Sequence, residues 1–274
     1  MSLIRKLGRV IKLRKLLWYY RREKDNEVRK AISNLINRGI KMFPYDFPDK
    51  YSATINVFES NCGLPYVMHC GTKIYFPREL DHDTVRRKYQ ALLVEQDYSS
   101  PHRYFTESFK VEKGDTFYDI GCAEGIIATE VVQQAKHTFV FECASHWHEP
   151  LFRTFEQFGD NATVVDKRVG ALTNENCVSI SDYFRSDDNS RIFKIDVEGE
   201  ELNVLKGMQN VFSRPGLLKI VICTYHNGGD YEILNQYLSK QGFNTEHSDN
   251  LMLFDLKTKP YLRRGVIRAT KFTP

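Results

Sequence analysis

The sequence lacks the features of membrane-spanning, repetitive and disordered proteins. None of its 274 residues belongs to an apolar run that approaches the roughly 20 residues needed to cross a membrane. It contains no internal repeat and no glycine-, proline- or serine-rich stretch, and 42% of its residues are hydrophobic. A solenoid or a disordered chain is therefore not expected. The length suits one sizeable α/β domain with a smaller appendage.

The six cysteines lack the paired spacing of zinc ligands. They are Cys62, Cys70, Cys122, Cys143, Cys177 and Cys223. Several lie in apolar, strand-like runs, as reduced core cysteines do in cytoplasmic proteins. We therefore expect no cysteine-based zinc centre and a cytoplasmic location.

The net charge of +4 is concentrated at the N-terminus. Residues 1–30 contain eleven lysines and arginines against three acids, a net charge of +8. Apolar residues from Leu3 to Trp18 recur at helical spacing, broken only by Arg14, which predicts a basic amphipathic helix without a signal-peptide core.

Three interpretations of this helix stay open. Its apolar stripe could pack on its own domain or on a twin subunit of a homodimer. Residues 1–20 could instead attach peripherally to an anionic membrane, such as the inner membrane surface. Contact with nucleic acid is the least favoured, because aromatic residues interleave the charges only at 18–20.

The patterns divide the chain into three regions. Residues 1–44 are the basic helical segment, 45–100 a small α+β region, and 101–274 the main domain. In the middle region, strand-like runs at 53–58, 65–69 and 72–76 precede a helical pattern at 81–95. Turns between the runs predict a small antiparallel sheet.

In the main domain, short apolar strands alternate with amphipathic helices, which is typical of a parallel sheet covered on both faces. The strands are predicted at 116–120, 138–141, 162–165, 192–197 and 217–225, and the helices at 126–134, 150–158, 200–212 and 231–240. The end of the chain has strand-like runs at 243–247, 251–256 and 265–271 with no helix between them. An antiparallel edge fits this ending, although three runs compete for two sheet positions.

The turn after the first of these strands indicates an adenosine-containing cofactor. Gly121, Ala123 and Gly125 remove side-chain bulk where a ligand approaches the backbone. Glu142 ends the next strand 21 residues after Gly121, the separation at which a nucleotide-binding βαβ unit places its ribose-binding acid.

Acids in the turn favour S-adenosylmethionine over NAD. Asp119 precedes the turn and Glu124 lies inside it. Carboxylates repel a diphosphate but suit a ligand with an ammonium group, a cationic sulfonium and no phosphate. We therefore expect a methyl donor.

Three motifs resemble the FkbM family of S-adenosylmethionine-dependent methyltransferases. They are the turn 119–125, Phe141-Glu142, and Lys194-Ile-Asp-Val-Glu-Gly-Glu-Glu201 with its continuation to Gly207. The resemblance spans roughly 102–222 and implies the class I methyltransferase fold, a Rossmann-like α/β sheet that is mostly parallel with an antiparallel edge. It also implies O-methylation, commonly of sugar hydroxyls in polysaccharide or natural-product pathways.

This chain departs from the family at two places. It has Gly-Cys-Ala-Glu at 121–124, where family members usually show Gly-Ala-Asn. It has Cys-Thr-Tyr-His at 223–226 instead of the more usual acid-plus-His ending.

The resemblance carries cofactor-binding roles to particular positions of this chain. Asp119, Gly121 and Gly125 would shape the methionine end of the pocket, Glu142 would bind the ribose, and Asp166 would reach the adenine. Such enzymes often fold the segment before the first strand over the cofactor. Here that segment contains Tyr104 and Thr106.

Asp196, Glu198 and His226 are the candidate catalytic residues. Asp196 and Glu198 close one strand and His226 ends its neighbour, beside the crevice at the switch in strand order. A hydroxyl acceptor benefits from a general base, so His226 or Asp196 would take the proton while Glu198 orients the acceptor. Two alternatives stay open: a divalent metal on these groups, magnesium rather than zinc, or a purely structural turn at Glu198.

The leading hypothesis is an O-methyltransferase acting on a sugar hydroxyl or a related small molecule. The basic N-terminus motivates a second hypothesis, an RNA methyltransferase. A third is a membrane-associated assembly protein whose cofactor fold is vestigial.

Overall fold

The computed structural model describes residues 3–184 and 190–274, without the side chains of 3–7 and 9. Its helices are α1 Leu3–Tyr19, α2 Asn26–Arg38, α3 His82–Glu95, α4 Ile126–Val131, α5 Ser145–Phe155, α6 Glu201–Gly207, α7 Gln209–Phe212 and α8 Asp230–Lys240. Its strands are β1 Phe58–Glu59, β2 Pro65–His69, β3 Thr72–Tyr75, β4 Thr116–Ile120, β5 His137–Phe141, β6 Ala162–Val165, β7 Arg168–Gly170, β8 Cys177–Ser179, β9 Ser190–Ile195, β10 Gly216–Cys223, β11 Asn244–His247, β12 Met252–Leu253, β13 Leu262–Arg263 and β14 Val266–Thr273.

The main sheet has seven strands in the order β11-β14-β10-β9-β4-β5-β6. The pairs from β10 to β6 are parallel, whereas β14 is antiparallel to both β10 and β11. This confirms a mostly parallel sheet with an antiparallel strand near one edge. The chain moves outward from β4 through β5 to β6 and later from β9 to β10, so the strand order switches between β4 and β9.

Side chains of the central strands alternate between two cores, because successive residues of a strand point to opposite faces. Phe117 and Ile192 lie in one buried cluster, and their neighbours Tyr118 and Phe193 lie in the other. The first cluster also contains buried residues from 43 to 89. The small sheet β1-β2-β3 and α3 are therefore packed on the main sheet, and the domain boundaries given above stay predictions.

The predicted strands mostly match, and the differences matter for the site. β4 and β6 have the predicted bounds, whereas β9 ends at Ile195 and β10 at Cys223. Asp196, Glu198 and His226 therefore lie in loops just beyond the strands. The strand predicted at 53–58 is wrong except for its last residue, since Ile55 and Val57 pack on the first core while the backbone before Phe58 lies outside any strand.

Of the three strand-like runs at the end of the chain, two join the main sheet and one contributes to a separate sheet. β11 and β14 join the main sheet, and β12 pairs with β13 in a separate two-stranded sheet. Residues beside this small sheet form a third cluster with α1 and α2, which includes Leu16, Leu35 and Leu251. Asp25 caps α2 by accepting hydrogen bonds from the amides of Glu27 and Val28. In the described part of the chain, no helix is both long and apolar enough to cross a membrane.

Candidate active site

The two glycines of the turn after β4 have different reasons to be there. Gly121 has a φ of +76°, and a Cβ at this position would lie 1.8 Å from the carbonyl oxygen of Asp196. Gly125 has a φ of +74°, and its Cβ would lie 2.6 Å from the Phe155 ring. Gly121 therefore lets the loops after β4 and β9 meet at the switch point. Gly125 instead lets α4 pack against α5.

A cavity of about 520 Å³ lies over the carboxyl ends of β4, β5 and β9. Four of the residues singled out from the sequence line it: Gly121, Glu142, Asp196 and Glu198. The remaining wall comes from residues 167–172 and from the start of α6, with Asn203 and Val204. This is the position at which open α/β sheets bind ligands.

The Glu142 carboxylate is held rigidly at the edge of this cavity. Its Oε2 accepts a hydrogen bond from the Ala123 amide at 3.0 Å, and its Oε1 accepts one from the Ala144 amide at 2.8 Å. Each oxygen keeps a second lone pair, so the group can still accept hydrogen bonds from two neighbouring hydroxyls. Ala123 thus contributes its backbone, in a left-handed conformation with a φ of +46°.

Asp119 lies beneath the cavity, outside its lining. Its carboxylate is buried 2.9 Å from Lys194 Nζ, which also donates to the Gly121 carbonyl at 2.6 Å. Burial alone would lower the pKa of Lys194, but Asp119 and Asp196 hold it above its ordinary value. The ion pair therefore ties the turn to β9.

Two further carboxylates approach the same region with no cation of the described residues within ion-pair distance. Burial raises the pKa of Glu124 to about 7. Burial raises the pKa of Glu95, at the end of α3, to about 8, and the charges of Glu124 and Asp196 add to this effect. Sequence reasoning missed Glu95, which is 29 residues from Glu124 and belongs to no motif. One buried and one partly buried acid without a neighbouring cation among the described residues suit a positively charged ligand group.

The Asp196 carboxylate has a tyrosine hydroxyl near each of its two oxygens. Tyr104 Oη donates to its Oδ2 at 2.8 Å, and Tyr225 Oη lies 3.5 Å from its Oδ1. The buried His102 supports Tyr225 through a 2.9 Å hydrogen bond, and burial lowers its pKa to about 4. Burial would raise the pKa of Asp196, but Lys194 above all holds it below its ordinary value. The Asp196 side chain is therefore ionised at neutral pH.

His226 lies between three acids. Its Nδ1 is 2.9 Å from Glu201 Oε1, and its Nε2 is 3.4 Å from Asp196 Oδ1 and 3.6 Å from Glu198 Oε2. Burial would lower the pKa of His226, but the contact with Glu201 and the charge of Asp196 raise it. The Glu201 carboxylate thus lies beside Nδ1 at ion-pair distance, and Nε2 is directed towards Asp196 and Glu198.

Glu201 is the functional residue that sequence reasoning undervalued. It is 1% exposed, and besides His226 its Oε1 accepts hydrogen bonds from the amides of Val197 and Gly199. In the sequence analysis it stands only as the last residue of the motif that begins at Lys194. Its position in the Asp-Val-Glu-Gly-Glu-Glu run was the available signal.

The loop that Glu201 holds is conformationally strained. Glu198 has a φ of +56°, which is unusual for a residue with a side chain, and Gly199 has a φ of +102°. The Glu198 side chain is 90% exposed. Glu198 therefore both forms the turn into α6 and presents a carboxylate at the rim of the cavity.

The sequence model of the methyltransferase FkbM domain matches residues 77–245, which is more than half of the chain. The chain belongs to the FkbM methyltransferase family. It is accordingly an S-adenosylmethionine-dependent methyltransferase with the Rossmann-like fold of that class. The match begins at Pro77, so α3 and its Glu95 fall inside the family region, which the sequence resemblance over 102–222 did not reach. A search of curated proteins finds no match to the chain.

The solved structures that resemble this FkbM protein have low sequence identity and low TM-scores to it. An rRNA methylase from Streptococcus thermophilus has 13% identity, covers 60% of this chain and 90% of its own, and has a TM-score of 0.38. A precorrin-6y C5,15-methyltransferase from Geobacter metallireducens has 13% identity, covers 66% and 88%, and has a TM-score of 0.42. An S-adenosylmethionine-dependent O-methyltransferase from Thermotoga maritima has 14% identity, covers 60% and 62%, and has a TM-score of 0.41. Their differing reactions indicate nothing about the acceptor of this chain.

Like Asp119, Gly125 and Tyr104, two further residues assigned to the cofactor lie outside the lining of this cavity. Asp166 is exposed and lies outside the lining, although its neighbours Lys167 and Arg168 belong to it. Thr106 Oγ1 accepts a hydrogen bond from the Phe109 amide at 3.1 Å and stabilises a turn. Cofactor contact by either residue stays a prediction from the resemblance.

The potential metal ligands around Asp196 do not match those that Mg²⁺ prefers. Among the described residues, Asp196, Glu201 and His226 form one group of potential ligands and His102, Asp196 and Cys223 another. The imidazole and thiol groups are poor partners for magnesium, and Glu201 already accepts from two amides. These residues do not fit the predicted Mg²⁺, for which the comparisons offer no support either.

Proposed function

We propose that this FkbM protein transfers a methyl group to a hydroxyl of a sugar or a related small molecule, with His226 as the general base. One observation carries the proposal. Glu201 Oε1 lies 2.9 Å from His226 Nδ1, while Nε2 is directed to Asp196 and Glu198 at the cavity rim. An imidazole with a carboxylate beside one nitrogen and its other nitrogen directed to the acids of the cavity rim is placed for proton abstraction.

The cavity at the switch point fits S-adenosylmethionine. Glu142 keeps lone pairs for the ribose hydroxyls, and Gly121 leaves the backbone open where a Cβ would collide with Asp196. Glu95 and Glu124, which lie outside the cavity lining, supply negative charge for the ammonium group once they ionise. Once bound, the cofactor supplies an electrophilic methyl group on a cationic sulfonium.

The catalytic work assigned to this chain is proton removal and alignment. His226 Nε2 accepts the hydroxyl proton of the acceptor, and the buried charge of Glu201 stabilises the imidazolium that results. Asp196, kept ionised, orients the acceptor or the protonated ring. The exposed Glu198 accepts hydrogen bonds from neighbouring hydroxyls.

The rim chemistry favours a polyhydroxylated acceptor over RNA. Asp196, Glu198 and Glu200 line this side of the cavity. Carboxylates accept hydrogen bonds from sugar hydroxyls but repel a phosphate backbone. A glycan or glycan precursor from polysaccharide or natural-product biosynthesis is therefore the proposed acceptor class.

Methyl transfer from labelled S-adenosylmethionine to a panel of nucleotide sugars and glycosides, with RNA as a parallel substrate, tests this proposal. His226→Ala should lower kcat by about 10²- to 10⁴-fold, the range for loss of a general base. Glu201→Gln should lower kcat less and shift its pH profile. Both variants should keep their affinity for the cofactor.

The exposed His247 provides the matched control, and His247→Ala should leave turnover unchanged. Full turnover by His226→Ala would remove the proposed base. Transfer to RNA with none to any sugar would replace the proposed acceptor class.

A further inference from the structure

Helix α1 has two apolar faces, of which only one is covered. Leu16 is 1% exposed and packs in the third cluster, together with the partly buried Tyr19 and Tyr20. On the other face Ile11 is 60% exposed and Trp18 is 64% exposed. The apolar stripe predicted from the sequence is therefore not the face that packs on the domain. This holds for the described side chains of the stripe, which do not include those of Leu3, Ile4 and Leu7.

The exposed residues form one continuous surface, which we call the α1 outer face and define as Val10, Ile11, Arg14, Leu17 and Trp18. Their spacing of one, four, seven and eight residues places them on one side of an α-helix. Val10 is 48% exposed and Leu17 is 38% exposed, so the surface is apolar along its length. Arg14, also exposed, lies within it.

The charged residues of α1 all have the same sign. No acid occurs between residues 1 and 22. The guanidinium of Arg21 lies 4.4 Å from the centre of the Trp18 ring, and Arg22 is exposed directly after it. Exposed aliphatic side chains, one tryptophan and a basic border are the composition of a helix that lies in the interface of a membrane.

The other occupants fit less well. A second copy of the chain packed about a two-fold axis would bring its own Arg14 and the same basic border against this one, with no acid to neutralise them. Nucleic acid would use the basic residues but leave Ile11 and Leu17 exposed to water. An anionic bilayer accommodates both the basic and the apolar side chains, since its surface attracts the arginines and its acyl region takes up the apolar groups.

We propose that the α1 outer face docks this enzyme on an anionic membrane surface, with α1 lying in the plane of the interface. The α1 outer face spans nine residues of the helix, so its contact would be about 13 Å long at 1.5 Å per residue. Its covered face packs beside Tyr261 and Leu262, and the next residue, Arg263, donates hydrogen bonds to the carbonyls of Tyr225 and His226. Docking would thus place the membrane near the loop that holds His226.

Sedimentation of the full chain with vesicles tests the proposal. One set contains phosphatidylcholine alone and the other contains phosphatidylcholine with one third phosphatidylglycerol. We expect binding to the anionic vesicles, weak binding to the neutral ones, and loss of binding at high salt. The fluorescence of Trp18 should shift to shorter wavelength on binding, and Trp18→Phe should abolish that shift.

Ile11→Glu should weaken vesicle binding at least tenfold, because it places a negative charge in the apolar contact and lowers the local positive charge. Ile36→Glu on α2 is the matched control, since Ile36 is 48% exposed outside the α1 outer face, and it should bind as the wild type does. Equal thermal midpoints of the two variants would show that both are folded.

The absence of binding to anionic vesicles at low salt would overturn the proposal. Equal binding by Ile11→Glu and the wild type would overturn it as well. A dimer in ultracentrifugation that Ile11→Glu dissociates, without vesicle binding, would assign the face to a second copy.

Discussion

Replacing Glu124 by glutamine should stabilise the cofactor-free enzyme in a pH-dependent way. Glu124 is 7% exposed, and burial raises its pKa to about 7, whereas an unfolded chain leaves it at the ordinary value of 4.5. Its protonated form is therefore preferred in the folded state. The stability that this preference contributes is fully present below pH 4.5 and is lost as the pH rises through about 7. Glutamine has a similar shape and no charge, so it avoids that loss.

The magnitude follows from the size of the shift. A change from 4.5 to about 7 corresponds to about 3 kcal/mol, at roughly 1.4 kcal/mol per pKa unit. The free energy of unfolding of Glu124→Gln relative to the wild type should therefore increase by up to about 3 kcal/mol between pH values below 4.5 and pH values above about 7. Relief of Glu95, whose pKa Glu124 helps to raise, would add to the difference with the same sign.

Urea unfolding at a series of pH values measures this difference, with the buried Trp147 as the fluorescent reporter. The exposed Glu175 supplies the control, and Glu175→Gln should show no such trend. Calorimetry adds an independent test. Cofactor affinity of the wild type should rise with pH as Glu124 and Glu95 ionise, and this rise should be smaller in Glu124→Gln. A stability difference that does not change with pH would refute the reasoning.

Two further predictions concern the cluster around Asp196. Lys194→Met should destabilise the protein by about 3–5 kcal/mol, because it leaves Asp119 buried without its cation, and Asp119→Asn in the same chain should restore part of that loss in urea unfolding. A double variant as unstable as the single one would contradict a charged pair. Because the donor set suits a proton acceptor better than Mg²⁺, methyl transfer should persist after exhaustive dialysis against a chelator. Activity lost on dialysis and regained with added magnesium would contradict the role of His226 as base.

The order of the elements could be predicted because local patterns encode them. The apolar run of β4 and the glycine-containing turn after it appear in the right place, and Glu142 lies at the predicted end of β5. The prediction of a strand at 53–58 was wrong because a strand also needs a partner strand, which a local pattern does not show. Alternation shows which residues are buried, as Ile55 and Val57 are in part, but it cannot show whether a partner strand is available.

The roles of individual residues within a motif could not be predicted from the sequence. Asp119 and Gly125 belong to the same seven-residue turn as Gly121, yet one pairs with Lys194 and the other packs against Phe155. Glu95 and His102 could not be found from the sequence, because their relation to Asp196 arises only when α3 and the following loop fold over β9.

By itself the sequence determined the α/β alternation, the FkbM family and the position of the cofactor turn, since these depend on contiguous residues with a fixed period or spacing. Only the tertiary structure decided which acids face the cavity, which are buried in ion pairs, and that Glu201 holds His226. It also decided which face of α1 stays exposed, since both faces carry apolar residues and only the packing of Leu16 tells them apart. Burial and charge pairing are properties of surfaces brought together from distant parts of the chain, and a linear pattern does not contain them.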